Sequence, residues 1–418
     1  MRRLAPIAAL IAIACTGCAT GLTGDPQSVA GTEARLFGGF VSTTGGNDVQ
    51  YWVEWGPTTA YGSESTHRTW SFEVQPNEPQ TVLIEIAGLQ RDTTYHYRFC
   101  AEDDQQTGGP GCGPDKEFTT SNVDCGDVIT HDLTLTKSVQ CDTGPDVGLV
   151  IGADGIDINL NGHGVSGPDG RPPKETTGVG IDNSAGHDNV TIRNGGVSQW
   201  GNALRLRNAS FNAIHNVSMG GGNSSVQMEG GESNILRSVV MTGTTFEVGL
   251  RAVDTDGLVV ADSSGTQWAI SGSGARVVRN EVLGGPPFFS CLVVSGNRNR
   301  IAENHLFSCP GGSLVLNSGG DNEVVDNEVT GGSEPPGSEA DGIRIGAFTA
   351  GTLVQGNVVV GASDDGIDVR ATATRLQGNR ADDNGDFGID AVAGVTDLGG
   401  NTASGNGNPL QCRNVFCQ

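Results

Sequence analysis

The sequence predicts an all-β chain built mainly from a parallel β-solenoid, and three observations support this fold class. A phrase with Asn between apolar residues recurs from about residue 190 to the C-terminus. A second short apolar phrase precedes each of these anchors, as in residues 341–345 and 365–369. Gly and Asn separate the phrases, and no helical periodicity interrupts them. Short strands repeating in this way are typical of solenoid coils. The ten anchors span 401 − 194 = 207 residues in nine intervals, a mean of 23, and are Asn194, Asn216, Ser238, Asp262, Asn280, Asn304, Asn327, Asn357, Asn379 and Asn401.

The repeat predicts about 10–12 coils stacked roughly 4.8 Å apart, as in any β-sheet. Each coil would bury its inward Ile, Leu and Val only because the next coil covers them. The recurrent Asn is predicted to stack at one corner as a hydrogen-bonded ladder. These residues are therefore expected to be structural and not catalytic.

The charge of the chain limits its partners. The formal net charge is −24, and only three residues are lysines. Without a basic stripe to neutralise phosphate, a nucleic-acid partner is excluded. Acidity of this degree favours solubility and leaves Ca2+ binding open.

The N-terminus is predicted to be a targeting segment. Arg2 and Arg3 precede an apolar core, residues 5–14, that is too short to span a bilayer. The following Cys15-Thr-Gly-Cys18 resembles the bacterial lipobox, although Cys15 stands where that motif prefers Leu. The resemblance implies removal of residues 1–17, acylation of Cys18, or else Cys15, and a polar tether over residues 18–27. The alternative is a secreted protein with an ordinary signal peptide cleaved near residue 19.

The remaining cysteines are predicted to form disulfides. Ten cysteines less the two of the lipobox leave eight. An exported chain is in an oxidising compartment, so we expect each cysteine to pair with its nearest neighbour. The expected pairs are Cys100–Cys112, Cys125–Cys141, Cys291–Cys309 and Cys412–Cys417.

Residues 28–120 are predicted to form a separate β-sandwich. Residues 49–55 and 81–86 alternate apolar and polar side chains, as half-buried strands do. Leu89 lies six residues before Tyr95, which opens the next strand. This spacing resembles the tyrosine corner of fibronectin type III modules, in which the tyrosine hydroxyl fixes a turn between strands. The resemblance implies a spacer or adhesive unit without chemistry of its own.

Residues 125–418, about 70% of the chain, resemble the right-handed parallel β-helix proteins of the pectate-lyase-like superfamily. The repeat phrases carry this resemblance. It implies a groove for polysaccharide along one sheet, walled by long loops. Residues 331–340 lengthen one coil and are the candidate for such a loop.

Alignment of the strand phrases predicts a row of outward side chains on one sheet. Near its C-terminal end the row places an arginine beside two aspartates, and further aspartates crowd the same coils. A charged sheet face beside a long loop indicates a binding or catalytic surface. The predicted row is Asp182, Arg205, Gln227, Arg251, Ser271, Val293, Val315, Arg344, Asp368 and Asp390.

Glycoside hydrolysis is one chemistry that this patch could support. It needs one protonated and one ionised carboxyl group. Asp341-Gly342 and Asp364-Asp365-Gly366 lie 365 − 341 = 24 residues apart, one coil, as in polygalacturonase-like hydrolases. The following coil departs from that family, because residues 386–390 lack its Gly-His-Gly phrase.

A polysaccharide lyase or epimerase is the second possibility. Such enzymes use Ca2+ to acidify the α-proton of a uronate, with an arginine or lysine as base. The candidate ligands are Asp364, Asp365, Asp368 and Asp386, with Arg344 or Arg370 as base.

The favoured hypothesis is nevertheless a surface protein that binds carbohydrate or another surface polymer without catalysis. The Asp-Asp-Gly-Ile-Asp phrase also occurs in non-catalytic coils, where aspartate satisfies corner amides. Trp200 and Trp268 are candidate sugar-stacking platforms, although packed corner residues are the more common case for such tryptophans. If the patch is catalytic, its residues are Asp341, Asp364, Asp365 and Arg344.

Overall fold

The structure, a computed structural model, confirms the all-β class. It describes residues 18–43, 48–71, 76–104, 106, 108–141, 146–168, 178–243, 248–284, 290–309, 312–331 and 340–418. Within these ranges no helix is long and apolar enough to cross a membrane. The predicted signal segment 1–17, and residues 332–339 of the predicted loop, lie outside the described residues. The chain divides into two compact units, residues 1–125 with 135–144 and residues 126–134 with 145–418.

The first unit is a small β-sandwich. On one side β1 pairs with β2 and β2 with β6, all antiparallel. On the other, β3 pairs with β4, β5 and β7, and β7 pairs with β9. Both sides contribute to one core, as Leu36, Phe40, Val53, Ile84 and Phe99 show. The strands are β1 (Ala19–Val29), β2 (Glu33–Ser42), β3 (Val49–Gly56), β4 (Ser63–Glu64), β5 (Arg68–Trp70), β6 (Gln80–Ala87), β7 (Thr94–Asp103), β8 (Gly111–Cys112) and β9 (Lys116–Thr119).

The predicted tether over residues 18–27 is wrong. Residues Ala19–Val29 form β1, which pairs with β2 along most of its length. Ala19 and Leu22 of this strand are buried, and Ala19 belongs to the sandwich core. Cys18 is also buried, and its main chain bonds to Thr43, the Thr43 N–H donating to the Cys18 carbonyl at 3.1 Å. The sandwich therefore begins at Ala19.

The second unit is a parallel β-helix with three strands in each coil. The strands stack in three columns, here named stack 1, stack 2 and stack 3 in the order in which each coil visits them. Two long strands, β17 (Thr191–Arg207) and β18 (Ala213–Glu229), turn through the corners and contribute to all three stacks.

Stack 1 otherwise contains β10 (Asp127–Ile129), β13 (Val147–Ile151), β16 (Val179–Asn183), β21 (Val248–Val253), β24 (Trp268–Ser271), β27 (Leu292–Ser295), β30 (Leu314–Gly320), β33 (Ile343–Ala350), β36 (Ile367–Val369), β39 (Ile389–Ala391) and β42 (Cys412–Arg413). Stack 2 contains β11 (Leu133–Thr134), β14 (Asp157–Asn159), β19 (Ile235–Arg237), β22 (Val259–Ala261), β25 (Arg276–Val278), β28 (Arg300–Ala302), β31 (Glu323–Val325), β34 (Leu353–Gln355), β37 (Arg375–Gln377) and β40 (Thr396–Asp397). Stack 3 contains β12 (Val139–Gln140), β15 (Gly164–Ser166), β20 (Val240–Thr242), β23 (Ser264–Thr266), β26 (Glu281–Leu283), β29 (His305–Cys309), β32 (Glu328–Gly331), β35 (Val358–Val360), β38 (Arg380–Asp382) and β41 (Thr402–Ser404).

A hydrogen-bonded Asn ladder stabilises the corner between stacks 2 and 3. Each ladder side chain donates to the next amide oxygen, as from Asn327 to Asn357 and from Asn357 to Asn379, at 2.9 and 3.0 Å. The same oxygens accept backbone N–H groups, so a buried polar row is satisfied without water. The ladder is therefore structural, as predicted.

The sequence alignment places the first ladder members one residue too early. Asn194, Asn216, Ser238 and Asp262 occupy the preceding corner position, where the backbone is left-handed with φ of 52–60°. In later coils Gly356 occupies this position with φ 64°, a conformation that costs glycine nothing. The ladder itself begins at Ser263, whose N–H donates to Asn280 at 3.0 Å.

All four predicted disulfides are present. The first strands of the solenoid sheet, β10, β11 and β12, lie between Cys125 and Cys141, so this disulfide brackets the opening coil of the solenoid. Trp200 and Trp268 are 2% and 1% exposed. They are core residues of the solenoid and not sugar-stacking platforms.

Candidate functional site

An outward row of side chains runs along stack 1 and matches the predicted row at all but one position. Arg251 lies in register with Ala269, which in turn lies in register with Val293. The predicted member Ser271 is therefore wrong by two residues. The row also continues one coil further, because Asp390 lies in register with Arg413.

Towards the C-terminal end of the row, carboxyl groups from adjacent coils converge where each coil enters stack 1. We call this set the acidic patch; its members are Asp341, Arg344, Asp364, Asp365, Asp368, Arg370, Asp390 and Arg413. Gly342 and Gly366 follow the aspartates because the coils stack closely there. A Cβ at Gly342 would lie 2.6 Å from the Gly366 carbonyl oxygen. The Asp-Gly phrase thus places a carboxyl group immediately before a glycine that the packing requires.

Asp341 lies deepest in the patch and is 3% exposed. Arg344 donates from both Nε and Nη2 to its Oδ2 at 2.7 Å, and the Asp365 N–H donates to its Oδ1 at 3.3 Å. Burial raises the pKa of Asp341 to about 6, with Arg344 opposing the rise and the charges of Asp368 and Asp364 adding to it.

Asp365 is the group best placed to hold a proton near neutral pH. It is 8% exposed, and its Oδ1 accepts the Phe387 N–H at 2.9 Å. Burial raises its pKa to about 7, and the charges of Asp364, Asp341 and Asp390 add to the rise. Within the described part of the chain no arginine forms an ion pair with Asp365, so the balance favours the neutral acid.

Two of the remaining carboxylates pair with arginines. Asp368 Oδ2 accepts from Arg370 Nε at 2.5 Å and lies 3.6 Å from Arg344 Nε. Asp390 pairs with Arg413 through two hydrogen bonds. The patch therefore combines arginine-paired carboxylates with a carboxyl group that tends to be neutral.

The structure brings together most of the predicted Ca2+ ligands. Oxygens of Asp341, Asp364 and Asp365 lie within 4.8 Å of one another, and so do those of Asp365, Asp368 and Asp390. Asp386 belongs to neither group, because its Oδ1 accepts from Asn408 one coil further on.

The fit to Ca2+ is poor. Asp341, Asp368 and Asp390 each have an arginine within hydrogen-bonding distance, which already neutralises them and occupies oxygens that a hard cation would need. The guanidinium groups of Arg344 and Arg370 also donate to carboxylates, and a guanidinium has no lone pair with which to act as a base. The arrangement suits proton transfer better than metal-assisted elimination.

Sequence reasoning did not assign Asp390 or Arg413 to the site, although the row itself points to both. It also missed a cluster on the sandwich, where His96 contacts Asp115 at 2.8 Å and Glu117 at 3.4 Å. These residues come from neighbouring strands and a loop, so only the pairing of β7 with β9 brings them together.

Comparison with known proteins agrees with the fold. A family profile described as "Right handed beta helix region" matches residues 253–407, a little over a third of the chain. The chain contains a right-handed β-helix. No curated protein is significantly similar in sequence.

Two solved structures show the same fold at low identity. DFA-IIIase from Arthrobacter chlorophenolicus A6 is 16% identical, with 59% of this chain and 71% of that chain covered and a TM-score of 0.43. The periplasmic alginate epimerase AlgG is 13% identical, with 69% and 82% covered and a TM-score of 0.45. Similarity at this level concerns the fold alone.

Proposed function

We propose that this protein is a polysaccharide-cleaving hydrolase whose active site is the acidic patch. The observation that carries the proposal is the buried Asp365 carboxyl, with its pKa raised to about 7, beside Asp364 and Asp341 from the same and the adjacent coil. A neutral acid next to an ionised carboxylate is the pair that glycoside hydrolysis needs. The outward row extends along most of stack 1, which suits a linear polymer better than a small molecule.

The roles follow from burial and pairing. Asp365 donates its proton to the glycosidic oxygen as the bond from that oxygen to the anomeric carbon breaks. Asp364, which is more exposed than Asp341 and Asp365, attacks the anomeric carbon as that bond breaks and forms a glycosyl-enzyme ester, because carboxyl oxygens within 4.8 Å of each other fit the retaining separation of about 5–5.5 Å. Water then hydrolyses the ester, and the ionised Asp365 takes the proton of that water and is restored as the acid. Asp341, paired with Arg344, lies beneath them and is a positioning residue. Its charge helps to hold the proton on Asp365.

Product analysis tests this proposal against the alternatives. The purified protein is incubated with neutral polysaccharides and polyuronates, with Ca2+ or with chelator, while reducing ends and unsaturated products are followed. We expect new reducing ends without unsaturated products, unaffected by chelator. Unsaturated products that vanish with chelator would instead show a Ca2+-dependent lyase. If no polysaccharide of the panel gives a product, and epimerisation is also excluded, the result would support the non-catalytic binding protein that the sequence favours.

Matched variants locate the activity. Asp365→Asn should abolish the release of reducing ends, because the proton donor is lost while the shape is kept. Asp254→Asn is the control, since Asp254 is an exposed corner residue elsewhere in the solenoid whose side chain is outside the patch. An equal loss of reducing-end release in both variants would refute the assignment of Asp365 as the proton donor.

We further propose that the sandwich is a fibronectin type III-like spacer. Tyr95 occupies the predicted corner, and its hydroxyl accepts the Gln90 N–H at 2.9 Å. The three strands β1, β2 and β6 on one side, and β3, β7 and β9 with the short β4 and β5 on the other, are consistent with such a module.

The four disulfides indicate a protein that lies outside the reducing cytoplasm. We propose that a lipid on Cys18 anchors it to the envelope. Mass spectrometry of the native N-terminus tests this anchor, since acylated Cys18 supports it and an unmodified N-terminus refutes it.

A further inference from the structure

A second concave surface lies on the corner between stacks 2 and 3, away from the outward row of stack 1. It has a volume of about 650 Å³. One wall is formed by corner residues and the other by the first outward residues of stack 3, with ladder residues forming the floor. We call it the corner groove; it is lined by Ser238, Val239, Val240, Asp262, Ser263, Ser264, Arg279, Asn280, Glu281, Glu303 and His305.

The shape of the groove follows from the stacking of the coils. Four successive coils contribute to it, so at about 4.8 Å between coils it runs roughly 14 Å along the solenoid axis. At the ladder position, Ser263 lies between Val239 and Asn280 and is smaller than either of them. The next residue, Ser264, belongs to the wall of the groove. The groove is shallow and open to solvent along its length, so it suits an extended chain lying on the surface rather than an enclosed small molecule.

The charges of the groove select against anions. Asp262 and Arg279 neutralise each other through two hydrogen bonds of 2.7 and 3.0 Å. Glu281 and Glu303 form no ion pair in the part of the chain that the structure describes, and both are exposed. The groove therefore has an excess of negative charge, which repels uronate and sulfate groups and attracts ammonium groups.

The groove also has the features of a carbohydrate site. His305 stacks on Phe307 with ring centroids 4.9 Å apart, so one wall carries a supported aromatic plane. Both walls of the groove offer hydrogen-bonding groups for sugar hydroxyls. These are the carboxylates and the hydroxyls of Ser238 and Ser264. An apolar plane with a few convergent polar groups is typical of such sites.

From these observations we propose that the corner groove binds an amino-bearing oligosaccharide, as a site separate from the acidic patch. It does not depend on the patch being catalytic. A chain with amino groups would place ammonium groups beside Glu281 and Glu303 and a sugar ring against His305.

Calorimetric titration of the purified protein tests this inference with three probes of equal length, which are chitosan, chitin and galacturonate oligosaccharides. We expect chitosan oligosaccharide to bind at least about tenfold more tightly than the galacturonate one, with a preference that weakens as salt screens the carboxylates. Galacturonate binding as tight as that of chitosan, or no binding of chitosan, would overturn the inference.

Variants assign the binding to the groove. The double variant Glu281→Gln/Glu303→Gln should weaken chitosan binding by about tenfold and reduce its salt dependence. His305→Ala should weaken both the chitosan and the chitin probes. Glu232→Gln removes one exposed charge at another corner and should change nothing. Unchanged binding in the double variant would place the ligand elsewhere.

Asp365→Asn separates this inference from the proposed function. Because Asp365 lies on stack 1, this variant should lose hydrolysis and keep its affinity for chitosan oligosaccharide. Loss of that affinity in Asp365→Asn would show that the acidic patch is the binding site and would overturn the separate groove.

Discussion

Replacing Asp365 with Asn should stabilise the protein above neutral pH while abolishing its proposed activity. Burial raises the pKa of Asp365 from 3.8 to about 7. At 1.36 kcal/mol for each pKa unit, the difference between protonated and ionised forms is up to about 4 kcal/mol. The Asn side chain keeps an oxygen to accept the Phe387 N–H, and it carries no charge to bury.

The sign of the pH dependence follows from linkage. Between about pH 4 and pH 7 the folded protein holds a proton on Asp365 that the unfolded chain has lost, so this stabilisation is fully present below about pH 4 and disappears as the pH rises through 7. Asp365→Asn should therefore unfold at a higher temperature than wild type at pH 8 and at nearly the same temperature at pH 4.

Thermal unfolding at pH 4, 6 and 8 measures this difference. Asp382→Asn is the matched control of opposite sign. Asp382 accepts hydrogen bonds from Arg380 and Ser404, and its pKa is lowered. Its replacement should lower the midpoint at pH 8, with the loss fading at acid pH. An Asp365→Asn midpoint that stays at or below that of wild type at pH 8 would refute the assignment of a buried, strained carboxyl.

Three further predictions concern individual contacts. Asn357→Ala removes two hydrogen bonds that the side chain donates and two that it accepts. Chemical denaturation should show that the solenoid is destabilised by about 3 kcal/mol or more. A loss of stability below about 0.5 kcal/mol would contradict the structural role of the ladder. Arg344→Ala leaves Asp341 without its guanidinium partner, so the pKa of Asp341 should rise. The acidic limb of the pH–rate profile should then move to higher pH. An unchanged profile would exclude the positioning role of Asp341. Tyr95→Phe loses the bond from the Gln90 N–H and should lower the stability of the sandwich by about 1 kcal/mol by thermal unfolding, whereas no loss would argue against a tyrosine corner.

The repeat made the fold predictable because one period controls every coil. Inward apolar residues and corner asparagines recur together, so the stacking direction follows from the pattern alone. The error in the first ladder members has a physical cause. Val217 and Val239 occupy the ladder position in early coils, and polar residues such as Asn216 stand one place earlier, where only the backbone conformation reveals the corner.

The patch was predictable in part for the same reason. Asp341, Asp364 and Asp365 precede strands that stack, so their convergence follows from the register. The choice of Arg partner did not follow, because Arg344 and Arg370 bond to carboxylates in ways that depend on side-chain rotamers. The displaced row member has another cause. The 18-residue interval from Asp262 to Asn280 shortens one coil, and a phrase alignment cannot show where the residues were lost.

The strands of the sandwich were largely visible in the alternation, but its first strand was not. Residues 19–27 are small and polar, a composition typical of a tether. Their pairing with β2 depends on backbone hydrogen bonds and on the burial of Leu22, which composition does not report.

The pH dependence of reducing-end release in the presence of chelator tests the central claim most directly. Wild type should release reducing ends from at least one polysaccharide, with activity falling as the pH rises through about 7 because Asp365 loses its proton. Asp365→Asn should release none at any pH. Undiminished release by Asp365→Asn, or no release by wild type from any polysaccharide across the pH range, would contradict the account.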